Sequence, residues 1–76
     1  MIHITLHITL ADGGRETYEP TEWLPETTVR SDIETAVRRL LAQLLYDWQD
    51  CTCLMHHYRN GRNTHNDFFR IGTGGQ

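Results

Sequence analysis

The chain has 76 residues, a hydrophobic content of 38% and a formal net charge of −3. A domain of this size buries only about 60% of its unfolded surface, so its core is small and its stability margin narrow. The absence of a run of about 18 apolar residues argues against a membrane-spanning helix. The acidic balance argues against non-specific nucleic-acid binding, and Cys51 and Cys53 are too few for a disulfide framework.

The opening MIHITLHITL has no basic segment before an apolar one and does not read as a secretory signal. With two free thiols, it fits a cytoplasmic protein. Charge is unevenly spread. Residues 12–50 hold nine acids and four arginines, whereas residues 51–76 hold Arg59, Arg62 and Arg70 against Asp67 alone. Every basic side chain is arginine.

In chain order, Ile2, Ile4, Leu6, Ile8 and Leu10 alternate with His3, Thr5, His7 and Thr9. This period of two specifies a half-buried strand. Asp12-Gly13-Gly14 supplies the positive-φ positions of a hairpin turn. Arg15–Glu19 reads as the returning strand, ended by Pro20, which cannot donate to a ladder. The connection that follows supplies Trp23, Leu24 and Val29 as expected buried anchors.

Ser31-Asp32-Ile33-Glu34 has a capping-box pattern, with Thr28 as a competing cap. Ile33, Val37, Leu40, Leu41, Leu44 and Trp48 recur at helical spacing, predicting a helix over 31–49. Continuation of that helix to Gly61 is the alternative, but Asp50–Cys53 is a poor helical stretch. The spacing instead predicts a strand from CTCLMHHY, a type I′ turn at Asn60-Gly61, and a return through NTHNDFFRI. The expected fold is α+β: a β-hairpin, a helix and a second β-hairpin, with the helix packed on a small mixed sheet. Residues 1–71 form the domain and 72–76 a flexible glycine-rich tail.

Four groups of residues bear on chemistry. Cys51, Cys53, His56, His57 and His65 are all zinc-ligand types. In a strand, however, His57 lies about 13 Å beyond Cys53, and His56 and His65 are expected opposite each other on the other face. These residues do not close a four-ligand site, so no metal or other cofactor is assigned. Arg59 and Arg62 flank a tight turn and could grip an anion, but two charges are too few for duplex affinity. No family-specific pattern surrounds either cysteine, and there is neither a phosphate-cradling loop nor a nucleophile elbow, so no enzyme activity is assigned. The His3 and His7 row leaves the sheet half exposed, suited to a protein partner or to a homodimer.

The fourth group is the ending FFRIGTGGQ. A strand from Met1, a glycine turn, an acidic return, entry to the helix through PETTVRSDIETAV, and a last strand leading into Gly74-Gly75 resemble the ubiquitin-like β-grasp family. The resemblance covers the order of elements along the whole chain, and its specific residues are the tail and the helix entry. It implies a protein modifier or a ubiquitin-like binding module. As a modifier it would use activating and conjugating enzymes, Arg70 would lead into the tail, and a protease would remove Gln76 to expose Gly75. Glycine suits such a tail because a side chain would bar close approach of the backbone in a narrow channel. A lysine-free modifier could not form lysine-linked chains on itself. Other classes the sequence admits are a small phage or mobile-element accessory or inhibitor protein acting by protein contacts, and a metal- or nucleic-acid-binding module.

Overall fold

In the computed structural model, residues 1–44 and 47–72 are described. The alternation at the start forms β1 (Ile2–Leu10), with Ile2, Ile4, Leu6 and Ile8 all buried. The chain reverses at Asp12–Gly14. Leu10 N–H donates to Gly14 O at 2.7 Å, Gly14 N–H donates to Asp12 Oδ1 at 2.8 Å, and Gly13 sits at φ 91°. The short β2 (Arg15–Tyr18) returns antiparallel to β1. Leu24 then exchanges both backbone bonds with Ile2, at 2.7 and 2.9 Å, pinning the connection beside β1.

The helix, α1, runs Arg30–Ala42 and buries Ile33, Val37 and Leu41. Its position differs from the expectation at both ends. Val29 is the N-cap and no side chain caps the helix. Ser31 lies inside the first turn, where its carbonyl accepts from Thr35 Oγ1 at 3.0 Å, and Glu34 pairs with Arg38 at 3.1 Å instead of reaching back. At the other end Trp48 is not helical but opens β3 (Trp48–Arg59), opposite Leu10. Extending the long ladder with β1 to its last residue outweighs a further helical turn. Of the three expected anchors, Leu24 packs against the core, while Trp23 is 45% and Val29 55% exposed.

β3 and β4 (Arg62–Gly72) are joined by the expected two-residue turn, with Asn60 at φ 52° and Gly61 at φ 76°. The strand order is β2-β1-β3-β4 and every pairing is antiparallel. The expected mixed sheet is therefore corrected. α1 returns the chain to the end of the sheet where β1 finishes, so β3 runs back along β1 in the same direction as β2. The fold is α+β, one helix on a four-stranded antiparallel sheet.

Length explains what the helix can cover. Thirteen residues at 1.5 Å per residue make a helix of about 20 Å. The eleven or twelve residues of β3 and β4 reach nearly twice that at about 3.3 Å each. One helix thus covers only part of one face. Beneath it lie Ile2, Ile4, Leu6, Ile8, Cys51, Cys53, Met55, Phe69 and Ile71. Arg30 extends the cover by placing its guanidinium 5.0 Å from the centre of the Phe69 ring.

Candidate interaction surface

The residues of zinc-ligand type, Cys51, Cys53, His56, His57 and His65, are dispersed. Cys51 and Cys53 are fully buried core residues. Burial, reinforced by Asp50, pushes the Cys51 thiol up to about 11. Burial and then Cys51 push Cys53 up to about 12. Both are protonated at neutral pH, which suits packing and opposes nucleophilic or metal-binding use. Among the described residues, no three His, Cys, Asp or Glu side chains converge on a metal position.

The histidines pair differently from the expectation. A register shift between His57 and Tyr58 puts His57 opposite His65 and His56 opposite Asn66. Thr64 is the extra residue: Tyr58 pairs with Asn63, and His57 pairs with His65. The bulge is held by Asn63 Nδ2 and Thr64 Oγ1, both donating to His57 O at 3.0 and 3.3 Å. As a result the His57 and His65 rings stack at 4.0 Å on the helix side of the sheet. Burial and then the neighbouring His65 lower the pKa of His57.

At the hairpin tip the two arginines lie on facing strands. Arg59 Nε donates to Glu26 Oε1 at 3.3 Å, and Arg62 lies directly opposite Arg59. Arg70 Nη2 contacts Asp50 Oδ2 at 3.5 Å. Gly74, Gly75 and Gln76 lie outside the described residues, whereas Gly72 belongs to β4 and pairs with Asp50.

What the fold does assemble is the face of the sheet opposite α1. Alternation sends His3, Thr5, His7 and Thr9 of β1 there, with Thr52, Leu54, His56 and Tyr58 of β3 and Asn66, Phe68 and Arg70 of β4. Cross-strand register orders them into rows. Thr5 meets Leu54, which meets Phe68, while His3 meets His56, which meets Asn66. Thr5 Oγ1 donates to Glu19 Oε1 at 3.3 Å at one end of the first row. His7 is exposed and lies 3.4 Å from Thr17 Oγ1.

The Ile2–Leu24 bridge turns Trp23 onto this same face. Its ring lies 4.9 Å from His3 and 5.2 Å, edge-on, from Tyr58. His3 in turn lies 6.2 Å from His56, which contacts Asn66 Oδ1 at 3.1 Å. The surface is therefore aromatic and imidazole-rich at one end and apolar at Leu54 and Phe68, where Phe68 is 60% exposed. Such clusters, part apolar and part polar, are typical of protein contact surfaces. His3 and His7 are read from the sequence, but Trp23, Leu54, His56, Tyr58 and Phe68 are missed as a set. The available signal is parity, since Leu54, His56 and Tyr58 alternate with Cys51, Cys53 and Met55 and must face the other way.

No family model matches the chain, and no curated protein or solved structure matches it.

Proposed function

We propose that the protein is a small binding module that works through protein–protein contacts on the open face of its sheet, as an accessory or inhibitor protein does. The observation that carries this reading is the Trp23, His3 and Tyr58 cluster, continued by Leu54 and Phe68 on the face away from α1. Aromatic side chains held rigidly by neighbours supply contact area at low entropic cost, and such residues dominate binding energy at interfaces. No catalytic role is assigned. The shielded thiols and the engaged Arg59 favour contact over chemistry.

The test is affinity capture from extracts of the source cells with three baits: the natural chain, Trp23→Ala with Tyr58→Ala, and Arg38→Ala on the exposed side of α1. The expected result is a partner retained by the first and third baits and lost from the second, with all three giving the same thermal transition. A captured set unchanged by the Trp23 and Tyr58 substitutions overturns the reading.

The tail supports a separate proposal, resting on the ubiquitin-like resemblance. Gly74-Gly75 lies just beyond Gly72, the last described residue, so after removal of Gln76 the Gly75 carboxylate would be adenylated by ATP with release of pyrophosphate, and then transferred to an enzyme thiol with release of AMP. A chain ending at Gly75 should form that thioester with a matching activating enzyme, and its Gly75→Ala form should not. Equal behaviour of the two removes the conjugation reading and leaves the binding module.

A further inference from the structure

β4 is the last strand of the sheet, and no described residue pairs with its outer side. The direction of its backbone groups follows from the other edge. Ile2 bonds to Leu24, away from β3, so the even residues of β1 turn their backbone groups outward and the odd ones face β3. Tyr58 N–H donates to Met1 O at 2.8 Å in agreement. Carried across the ladder, this pattern directs the even residues of β3 to β1 and its odd residues to β4. Cys53 of β3 then engages Phe69 of β4, and Asn66, Phe68, Arg70 and Gly72 of β4 present their N–H and C=O groups to the free edge. Phe68 confirms the direction, because its N–H donates to the Asp67 carboxylate at 2.8 Å instead of to the ladder. None of these four residues is a proline or a lysine, and the one bulge in this hairpin lies before them at Thr64. Among the described residues, this edge is protected only by the Asp67 cover and the Arg70 charge.

We propose that this edge pairs with the same edge of a second copy of the chain, antiparallel about a two-fold axis at Phe68, joining two four-stranded sheets into one. Register selects the axis. A two-fold normal to the sheet keeps both helices on one face and puts one β4 residue opposite its own copy. An axis at Asn66 sets Arg62 against Arg70, and one at Asp67 sets two carboxylates together. An axis at Phe69 sets Asp67 against the buried Ile71. The axis at Phe68 sets no like charges opposite each other and no carboxylate opposite Ile71, although it brings His65 there. Asn66 then lies opposite Arg70, and Asp67 lies opposite Phe69, whose ring carries the Arg30 guanidinium. Asp67 releases the Phe68 N–H to the second copy and gains a cation beside it. On the open face the Leu54–Phe68 row runs straight into the Phe68–Leu54 row of the second copy, covering the ring that is 60% exposed in the single chain. This deepens the reading of the open face as a contact surface, extending it across two chains. An edge contact alone is at the small end of interface sizes, so the dimer forms and separates with concentration.

The test is sedimentation equilibrium of the purified chain over a dilution series, with the expectation of a reversible passage from monomer to twice the monomer mass. Phe68→Arg puts like charges on the axis and should abolish the dimer while the thermal transition persists. Register is read by cross-linking. Asn66→Cys and Arg70→Cys variants, mixed under oxidant, should give disulfide dimers of one of each, because opposed residues of a bonded antiparallel pair lie about 5.5 Å apart. Each variant alone should give only the slow background seen in denaturant. The buried, protonated Cys51 and Cys53 do not compete. A natural chain that stays monomeric up to its solubility limit overturns the proposal, and so do cross-links no faster in the mixture than in either variant alone. Trp23 lies across the sheet from β4, so Trp23→Ala should leave the dimer intact while removing partner capture. The two readings can therefore fail separately.

Discussion

Phe68 and Phe69 are neighbours in β4 with opposite fates. Phe69 is 3% exposed, beneath α1 and Arg30, whereas Phe68 is 60% exposed on the other face. The same contrast holds over the part of the sheet that α1 covers. The helix side holds a dry row of Ile, Leu, Cys and Met side chains, and the open side holds Thr, His, Tyr, Leu and Trp. A strand gives its two faces to different tasks at no cost in length, because successive side chains point in opposite directions. In a domain with so small a core, one face is committed to stability and the other stays open.

The largest expected effect breaks the committed face. Leu6 is fully buried at the centre of β1, and Leu6→Asp places an unpaired charge there. A domain of this size holds on the order of 4–10 kcal/mol, and burying an unpaired charge costs enough to exceed it. Loss of the cooperative thermal transition by circular dichroism is expected. A native-like melt would mean that the even residues of β1 do not face α1.

Next is the direct comparison of the two phenylalanines by urea unfolding. Phe69→Ala should cost about 3–4 kcal/mol, as emptying a packed ring site does. Phe68→Ala should change stability by no more than about 0.5 kcal/mol when measured at dilutions that keep the chain monomeric. Similar losses at the two positions would erase the distinction between the faces.

A subtler difference is in pH dependence. The folded state holds the thiols of Cys51 and Cys53 at about 11 and about 12, against 9.0 unfolded. Their contribution is fully present below pH 9.0 and is lost as pH rises towards 11–12, because only the unfolded chain readily releases these protons. The urea midpoint should therefore fall through this range, and Cys51→Ala with Cys53→Ala should flatten the slope. His57 acts with the opposite sign at the acid end. Its pKa is lowered in the fold, so stability should decline as pH falls below 6.5, and His57→Gln should soften that decline.

The smallest effect is expected on the outer surface of α1. Glu34→Gln removes an exposed i,i+4 pair with Arg38 and should cost less than about 0.5 kcal/mol. A larger loss would imply that this surface is also committed to packing.

Much of the fold is legible where local chemistry decides. The hydrophobic period of two in residues 2–10 and the glycine-bearing turns at 12–14 and 60–61 all form as expected. The apolar stripe at Ile33, Val37 and Leu41 does as well. The candidate surface is less legible because its members come from separate segments. Trp23 reads as a buried anchor by its size alone, and only the Leu24 bridge to Ile2 turns it outward onto His3 and Tyr58. His57 and His65 stack only because Thr64 is inserted as a bulge, and nothing in the residues NTHN marks that insertion.

The sequence by itself determined which residues of β1 share a face, where the two hairpins turn, and that two thiols and a helical stripe would form the core. These follow from the backbone period and from the positive φ that Gly and Asn tolerate. The tertiary structure decided which strand lies beside which, and in what direction. It ended the helix at Ala42 so that Trp48 could pair with Leu10, and it shifted the register of the long hairpin. Periodicity specifies a face but no neighbour. The neighbour is fixed by the cross-strand pairing, which is a property of the assembled sheet.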